Sequence, residues 1–309
     1  MRAGFVRALI DSARQDERIF LLVGDVGYNL VEPFVEEFPD RFVNVGIAEQ
    51  NMIGIAAGLA LSGKIVFVYS LGNFPTIRCL EQIRNDVCYH NCNVNIVASG
   101  GGLAYGSLGS THHATEDLAT MRALPNMTVV APGDPAESEL ATRAMVDWPG
   151  PCYLRLAKTG EPLVHKTSPD FQIGRAIQVR SGDDVTMITT GGVLYNATCA
   201  AERLAESGIQ ARLLSMHTLK PLDVEAVLAA ARQTGALVAI EEHSRIGGLG
   251  SAVAEVLAES GIPVRFRQIA IGDEFCSVVG SQACLQEAYS LSIDGIAREV
   301  QLLQTMVSR

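Results

Sequence analysis

The run Ile65-Val66-Phe67-Val68-Tyr69, followed by a helical pattern over 76–89 and then by Val94-Asn95-Ile96-Val97-Ala98, decides the fold. Both runs are rich in β-branched and aromatic residues, and neither alternates polar with apolar, so neither reads as a strand with one wet face. Strands apolar on both faces, with a helix between them, belong to a mainly parallel sheet covered on both sides. The same rhythm extends outward from this unit. Strands are expected at 19–23, 42–45, 128–131 and 152–156, and helices at 48–61, 116–123 and 135–146. Asp134 stands as N-cap of the last helix, with Pro135 at its first position.

Gly160, Pro162, Pro169, Gly174 and Gly182 then interrupt the alternation, and 166–182 reads as a linker after a first domain of 1–165. Beyond it, strands at 185–189, 211–215, 237–240 and 264–268 alternate with helices at 196–206, 223–234 and 251–259. The expected fold class is therefore α/β, with two doubly wound domains: a mainly parallel sheet domain followed by a smaller one, 183–309. A length of 309 residues suits about two domains.

A hydrophobic fraction of 48% against 19% charged residues describes a well-cored chain. The net charge of −10 argues against a general nucleic-acid binder, which needs a basic face for phosphates. Small anionic substrates remain open, because a few local Lys or Arg can serve them. Arg2, Arg7 and Asp11 break the N-terminal segment, and the apolar stretch 53–62 is too short to span a bilayer. The seven cysteines form no CxxC pair, and Cys88 and Cys92 lack a second ligand pair, so free thiols in a cytoplasmic protein are expected.

Two stretches carry chemistry. Val45-Gly46-Ile47-Ala48-Glu49-Gln50-Asn51 puts one carboxylate into the opening turn of an apolar, glycine-containing helix. Glu49 is either a partly exposed residue favoured by the helix dipole, or a buried acid aimed at a bound heterocycle. Gly54 and Gly58, four apart on that helix, mark either close core packing or a tight subunit interface. Thr111-His112-His113 follows Gly100-Gly101-Gly102, Gly106 and Gly109, a loop with little bulk that leaves imidazoles exposed near a ligand. Gly247-Gly248-Leu249-Gly250 reads as a tight strand-to-helix turn rather than a phosphate cradle, with His243 as an ordinary turn residue. Gly24-Asp25-Val26-Gly27 and Asn51 are not a metal–diphosphate motif, since a glycine is missing and Asn51 lies within the Glu49 helix.

These segments, with Phe74-Pro75-Thr76-Ile77-Arg78, Ala123-Leu124-Pro125-Asn126 and Gly150-Pro151-Cys152-Tyr153-Leu154-Arg155, resemble the transketolase family over almost the whole chain. The match is to the member of a split transketolase that holds the pyrimidine-binding and C-terminal domains. The resemblance implies thiamine diphosphate as cofactor, with Glu49 hydrogen-bonded to the pyrimidine ring nitrogen so that the thiazolium C–H proton can be lost. It places Phe74 on the aminopyrimidine face, with Ile77 and Leu80 where other members repeat aromatics. It implies His112 at the substrate carbonyl or hydroxyl, His113 beside it, and Arg2 and Lys158 near an anionic end of the sugar. Gly100 and Leu108 stand where full-length members carry a histidine and an aspartate for the sugar.

The resemblance also implies that the diphosphate and Mg²⁺ contacts come from a separate N-terminal subunit carrying Gly-Asp-Gly, with no metal ligands on this chain. Two copies of each chain in a heterotetramer are expected. The activity implied is transfer of a two-carbon ketol unit between sugar or sugar-phosphate substrates. The alternatives are the beta subunit of a 2-oxoacid dehydrogenase decarboxylase component, or a deoxyxylulose-phosphate-synthase-like enzyme.

Overall fold

The computed structural model describes residues 1–158 and 160–305. Its first half runs α1 (Arg2–Gln15), β1 (Ile19–Val23), α2 (Glu32–Glu37), β2 (Phe42–Asn44), α3 (Glu49–Leu61) and β3 (Ile65–Leu71). It continues through α4 (Leu80–Gln82), β4 (Val94–Ser99), α5 (Asp117–Ala123), β5 (Thr128–Val130), α6 (Pro135–Asp147) and β6 (Cys152–Leu156). The second half holds β7 (Ile177–Arg180), β8 (Val185–Thr189), α7 (Leu194–Glu206), β9 (Ala211–Ser215), β10 (Thr218–Lys220) and α8 (Val224–Thr234). It ends with β11 (Ala236–Ser244), α9 (Leu249–Ser260), β12 (Arg265–Ile271), α10 (Gln282–Ala288) and α11 (Ile293–Thr305).

The strand order is β10-β5-β6-β4-β3-β1-β2 in the first sheet and β12-β11-β8-β9-β7 in the second. All pairs are parallel except β10 with β5 and β7 with β9. The six strands expected in the first half are all present, and β3 and β4 are buried along almost their whole length, as two-face coverage requires. Asp134 caps α6 by accepting from the Glu137 N–H, and Asp223 caps α8 in the same way through Ala226.

Four features depart from the expectation. The helix expected over 76–89 is a broken path, with a tight turn at Ile77–Cys79, one turn of α4, and a wide turn at Ile83–Cys88 in which Tyr89 N–H bonds the carbonyl of Arg84. The stretch read as linker, 166–182, contains β7, which closes one edge of the second sheet. Within the second half, β10 crosses over and joins the first sheet beside β5. Finally, α1, α2, α10 and α11 are additional helices. One apolar cluster runs through both halves, joining Met52, Ile53, Ile83, Leu118 and Met121 to Leu214, Leu219, Val227 and Val253. No helix among the described residues is long and apolar enough to cross a membrane.

Candidate active site at the carboxyl ends of the first sheet

Around β1 the strand order reverses, with β2 on one side and β3 on the other. Ligands in open α/β sheets bind at the crevice that such a reversal leaves beyond the strands' carboxyl ends. Glu49 stands there. Gly46, at φ +72, turns the chain out of β2 and into α3, whose first residue is Glu49. Its side chain lies against Gly24 at the end of β1, where an added Cβ would sit 3.4 Å from the Glu49 Cγ. Ser70, near the end of β3, has its hydroxyl 3.5 Å from Oε1. Glu49 is 3% exposed, so of the two readings its sequence left open, the buried acid is the one observed.

A buried carboxylate needs a partner, and Arg78 supplies it: Nη1 donates to Oε2 at 2.7 Å. The same guanidinium lies over the ring of Phe74, 4.5 Å from its centroid. Arg78 thus makes, with one flat cation, both contacts that an aminopyrimidine needs: a face to stack on and a carboxylate to receive an N–H. Residues that satisfy a planar N–H donor in this way fit the pyrimidine end of thiamine diphosphate. Cys79, buried beside this pair, has its thiol pushed up to about 12, by burial first and the Glu49 charge second. Of the two aliphatic positions expected to wall the ring, Ile77 is exposed and Leu80 packs partly against the core.

The glycine-rich loop brings His112 to the other side of Phe74, edge-on, with centroids 5.5 Å apart. Thr111 Oγ1 lies 3.0 Å from His112 Nδ1, which leaves Nε2 as the nitrogen free to meet a substrate. His113 does not share this exposure. It is 2% exposed, both ring nitrogens lack a partner, and burial pushes its pKa below the ordinary value, favouring the neutral ring. The pair expected to be exposed together is therefore one accessible imidazole and one buried one. The physical reason is local: the Asn73 side chain donates to the His113 carbonyl, fixing the loop so that adjacent side chains point opposite ways.

Arg2 and Lys158 gather around two tyrosines instead. Lys158 Nζ sits 5.1 Å over the Tyr105 ring, and that ring fills the space a side chain at Gly100 would need. Arg2 faces Tyr69, whose buried hydroxyl has no hydrogen-bond partner; Arg2 Nε and Ser99 Oγ are likewise buried and unpaired. Among the described residues no cluster of three His, Cys, Asp or Glu side chains is placed to hold a metal.

Sequence reasoning missed a second group, at the base of the histidine loop. Arg155 is buried and donates to Asp117, to the carbonyl of Ala114 and to the carbonyl of Glu242. Asp117 also accepts from the Tyr153 hydroxyl at 2.5 Å. His243 is not a turn residue: it is fully buried in β11, with Nδ1 2.7 Å from the Ser244 carbonyl and Nε2 receiving the Ala119 N–H. The Gly247–Gly250 turn spends its N–H groups on a carboxylate of this chain, since Leu249 and Gly250 both donate to Glu241. The available signal was charge inside apolar runs, as at Arg155 within 152–156, because such charges must find partners.

Residues 1–160 match the transketolase pyrimidine-binding domain, and residues 174–296 match the transketolase C-terminal domain. The chain belongs to the transketolase family. It is 42% identical over 299 residues to one of the two subunits of an apulose-4-phosphate transketolase from Phocaeicola vulgatus, covering 96% of this chain and 95% of the relative. It is 40% identical to a 6-deoxy-6-sulfo-D-fructose transketolase subunit from a Clostridium species, over 96% of this chain and 92% of that one. Among solved structures, one described as "Split gene transketolase, inactive beta4 tetramer" superposes with a TM-score of 0.91 at 39% identity, covering 98% of both chains.

Proposed function

We propose that this chain is the pyrimidine-binding subunit of a two-chain, thiamine-diphosphate-dependent transketolase, a transferase that moves a two-carbon ketol unit from a ketose to an aldose. The observation that carries the reading is the Glu49–Arg78–Phe74 arrangement, in which a buried carboxylate and an aromatic face already hold a flat N–H donor. Thiamine diphosphate, when bound, supplies the electron sink for breaking the bond beside the ketose carbonyl. This chain's residues hold and orient. Glu49 keeps the ring N–H in place, Phe74 offers a stacking face, and the apolar floor of Ile53 and Met52 excludes water. His112, held at Nδ1 by Thr111, presents Nε2 to the hydroxyl or carbonyl of the donor and exchanges its proton there.

Arg2 and Lys158 recognise the anionic end of the sugar. The names of two relatives carry a phosphate and a sulfo group, which fits a cationic terminus without choosing between them. The diphosphate and Mg²⁺ contacts belong to a partner subunit of the Gly-Asp-Gly type, and the working assembly contains two of each chain. The related structure described as an inactive beta4 tetramer supports a subunit that self-associates and waits for its partner. Calorimetry tests this: the chain alone with thiamine diphosphate and Mg²⁺ should show weak or no heat, and the mixture with the partner should show clear binding. Tight binding by the single chain overturns the two-chain reading.

A further inference from the structure

We propose that Glu242, on β11 of the second domain, is a positioning residue that holds the His112 loop in register for ketol transfer. The inference rests on the substrate role of His112 proposed above and goes beyond it by giving the second domain a part in the reaction. The loop leaves β4 and returns to α5, and its two ends meet in a short antiparallel bridge between Gly102 and Ala114. Two hydrogen bonds of 2.9 and 3.0 Å close that bridge, two residues from His112. Glu242 grips both of its sides. Its Oε2 receives the Leu103 N–H at 3.4 Å, and its carbonyl shares Arg155 Nη2 with the carbonyl of Ala114, at 2.9 and 2.7 Å.

The contact is tight enough to dictate sequence. A Cβ on Gly102, which sits at φ +64, would lie 2.6 Å from Glu242 Oε2 and 2.7 Å from its Cβ. Only glycine lets the loop backbone press onto this carboxylate.

Glu242 is 3% exposed, and a carboxylate buried to that degree is retained only with several donors. Gln282 Nε2 reaches both of its oxygens at 3.0 Å, and Gln286 Nε2 reaches Oε1 at 2.7 Å, both from α10. The segment leading into α10 also supports the loop's outer side. The Gly280 N–H bonds the Gly106 carbonyl, and the Ser110 hydroxyl donates to the Cys276 carbonyl at 2.8 Å. The strand itself does not need the Glu242 side chain, because β11 is paired through its backbone with β8 and β12. What the side chain adds is the link between the second domain and the imidazole.

The test is a double-mutant cycle in the complex assembled with the partner subunit, using Glu242→Gln, His112→Ala and the combination. Gln keeps the shape but loses an acceptor and turns an N–H₂ toward Gln282 and Gln286. Glu242→Gln alone should lower kcat/KM for the donor about tenfold, the scale of one lost charge-assisted hydrogen bond, with cofactor affinity unchanged. In the His112→Ala background the same change should cost nothing further. A loss that simply adds to that of His112→Ala, or no loss at all, overturns the inference while leaving the active-site reading intact. Near-normal turnover in His112→Ala alone overturns both. Should Glu242→Gln fail to assemble, Gln286→Ala loosens the same carboxylate from outside the loop. It should give a smaller loss that also vanishes without the His112 ring, and an additive loss would again refute the positioning role.

Discussion

Replacing Glu49 by Gln separates what the carboxylate does for the fold from what it does for the reaction. On the folding side the change is small. Arg78 is 45% exposed, so after losing its partner it can turn to water, and an ion pair with one exposed member contributes about 0–1 kcal/mol. Gln fills the same space against Gly24 and removes the cost of a buried charge, so the melting temperature should move little in either direction. On the catalytic side the change is large. A positioned acid or base is worth about 10²–10⁴ in rate, which is ~3–5 kcal/mol in the barrier. Steady-state turnover of the reconstituted complex, beside a thermal melt of the same sample, reads the two effects separately. Near-normal turnover in Glu49→Gln would refute the argument and leave Glu49 as a first-turn helix residue with a surface cation. A collapse in melting temperature would refute it differently, by showing that the Arg78 pair holds the fold.

The two histidines of the loop should part company. His112→Ala should cut donor kcat/KM by about 2–4 kcal/mol with an unchanged melt, as for a polar group serving developing charge. His113→Ala should instead lower stability by about 1–3 kcal/mol through the cavity it leaves, with a small kinetic effect; the reverse pattern would shift the assignment by one residue. A pH series should expose the pairing of His165 with Glu137, whose Nε2–Oε1 contact is 2.7 Å. Burial pulls the His165 pKa down, but the Glu137 hydrogen bond and charge, with the charge of Asp134, outweigh it and raise the pKa above 6.5. A group with a raised native pKa contributes fully below its unfolded value and loses that contribution as pH rises through the native one. The stability gap between the native chain and His165→Gln should therefore be widest below pH 6.5 and narrow on the alkaline side; a gap that widens with pH would contradict the ion pair.

Apolar runs made the strands legible, because a strand buried on both faces has no polar positions to blur its ends: 19–23, 152–156, 185–189 and 211–215 fall where the residues alone place them. Glu49 was legible for a related reason, as one acid among residues that cannot solvate it. The failures have a common physical source too. The 76–89 segment carries helical periodicity, but Thr76 spends its hydroxyl on the Gly72 carbonyl and the path widens at 83–88. Local propensity contains no term for either event. Likewise β10 has only three residues, and it is stabilised by a neighbour, β5, far away in the chain.

The polar half of the site was illegible for a stronger reason: its partners are remote. Arg78 lies 29 residues from Glu49, and Arg155 lies 38 residues from Asp117 and 87 from Glu242. A sequence shows that a buried Arg or Glu must be paired, but the pairing itself depends on where two sheets meet. The family resemblance named Glu49, Phe74 and His112 because ligand-touching residues sit in short local motifs. It did not name Glu242, because a residue acting through Gly102 and Leu103 leaves only glycines and backbone as its trace in the loop. The pressure of that carboxylate on Gly102 gives the reason those glycines are there. Their freedom opens a path to the ligand and, at Gly102, lets a charge from the other domain take hold of the loop.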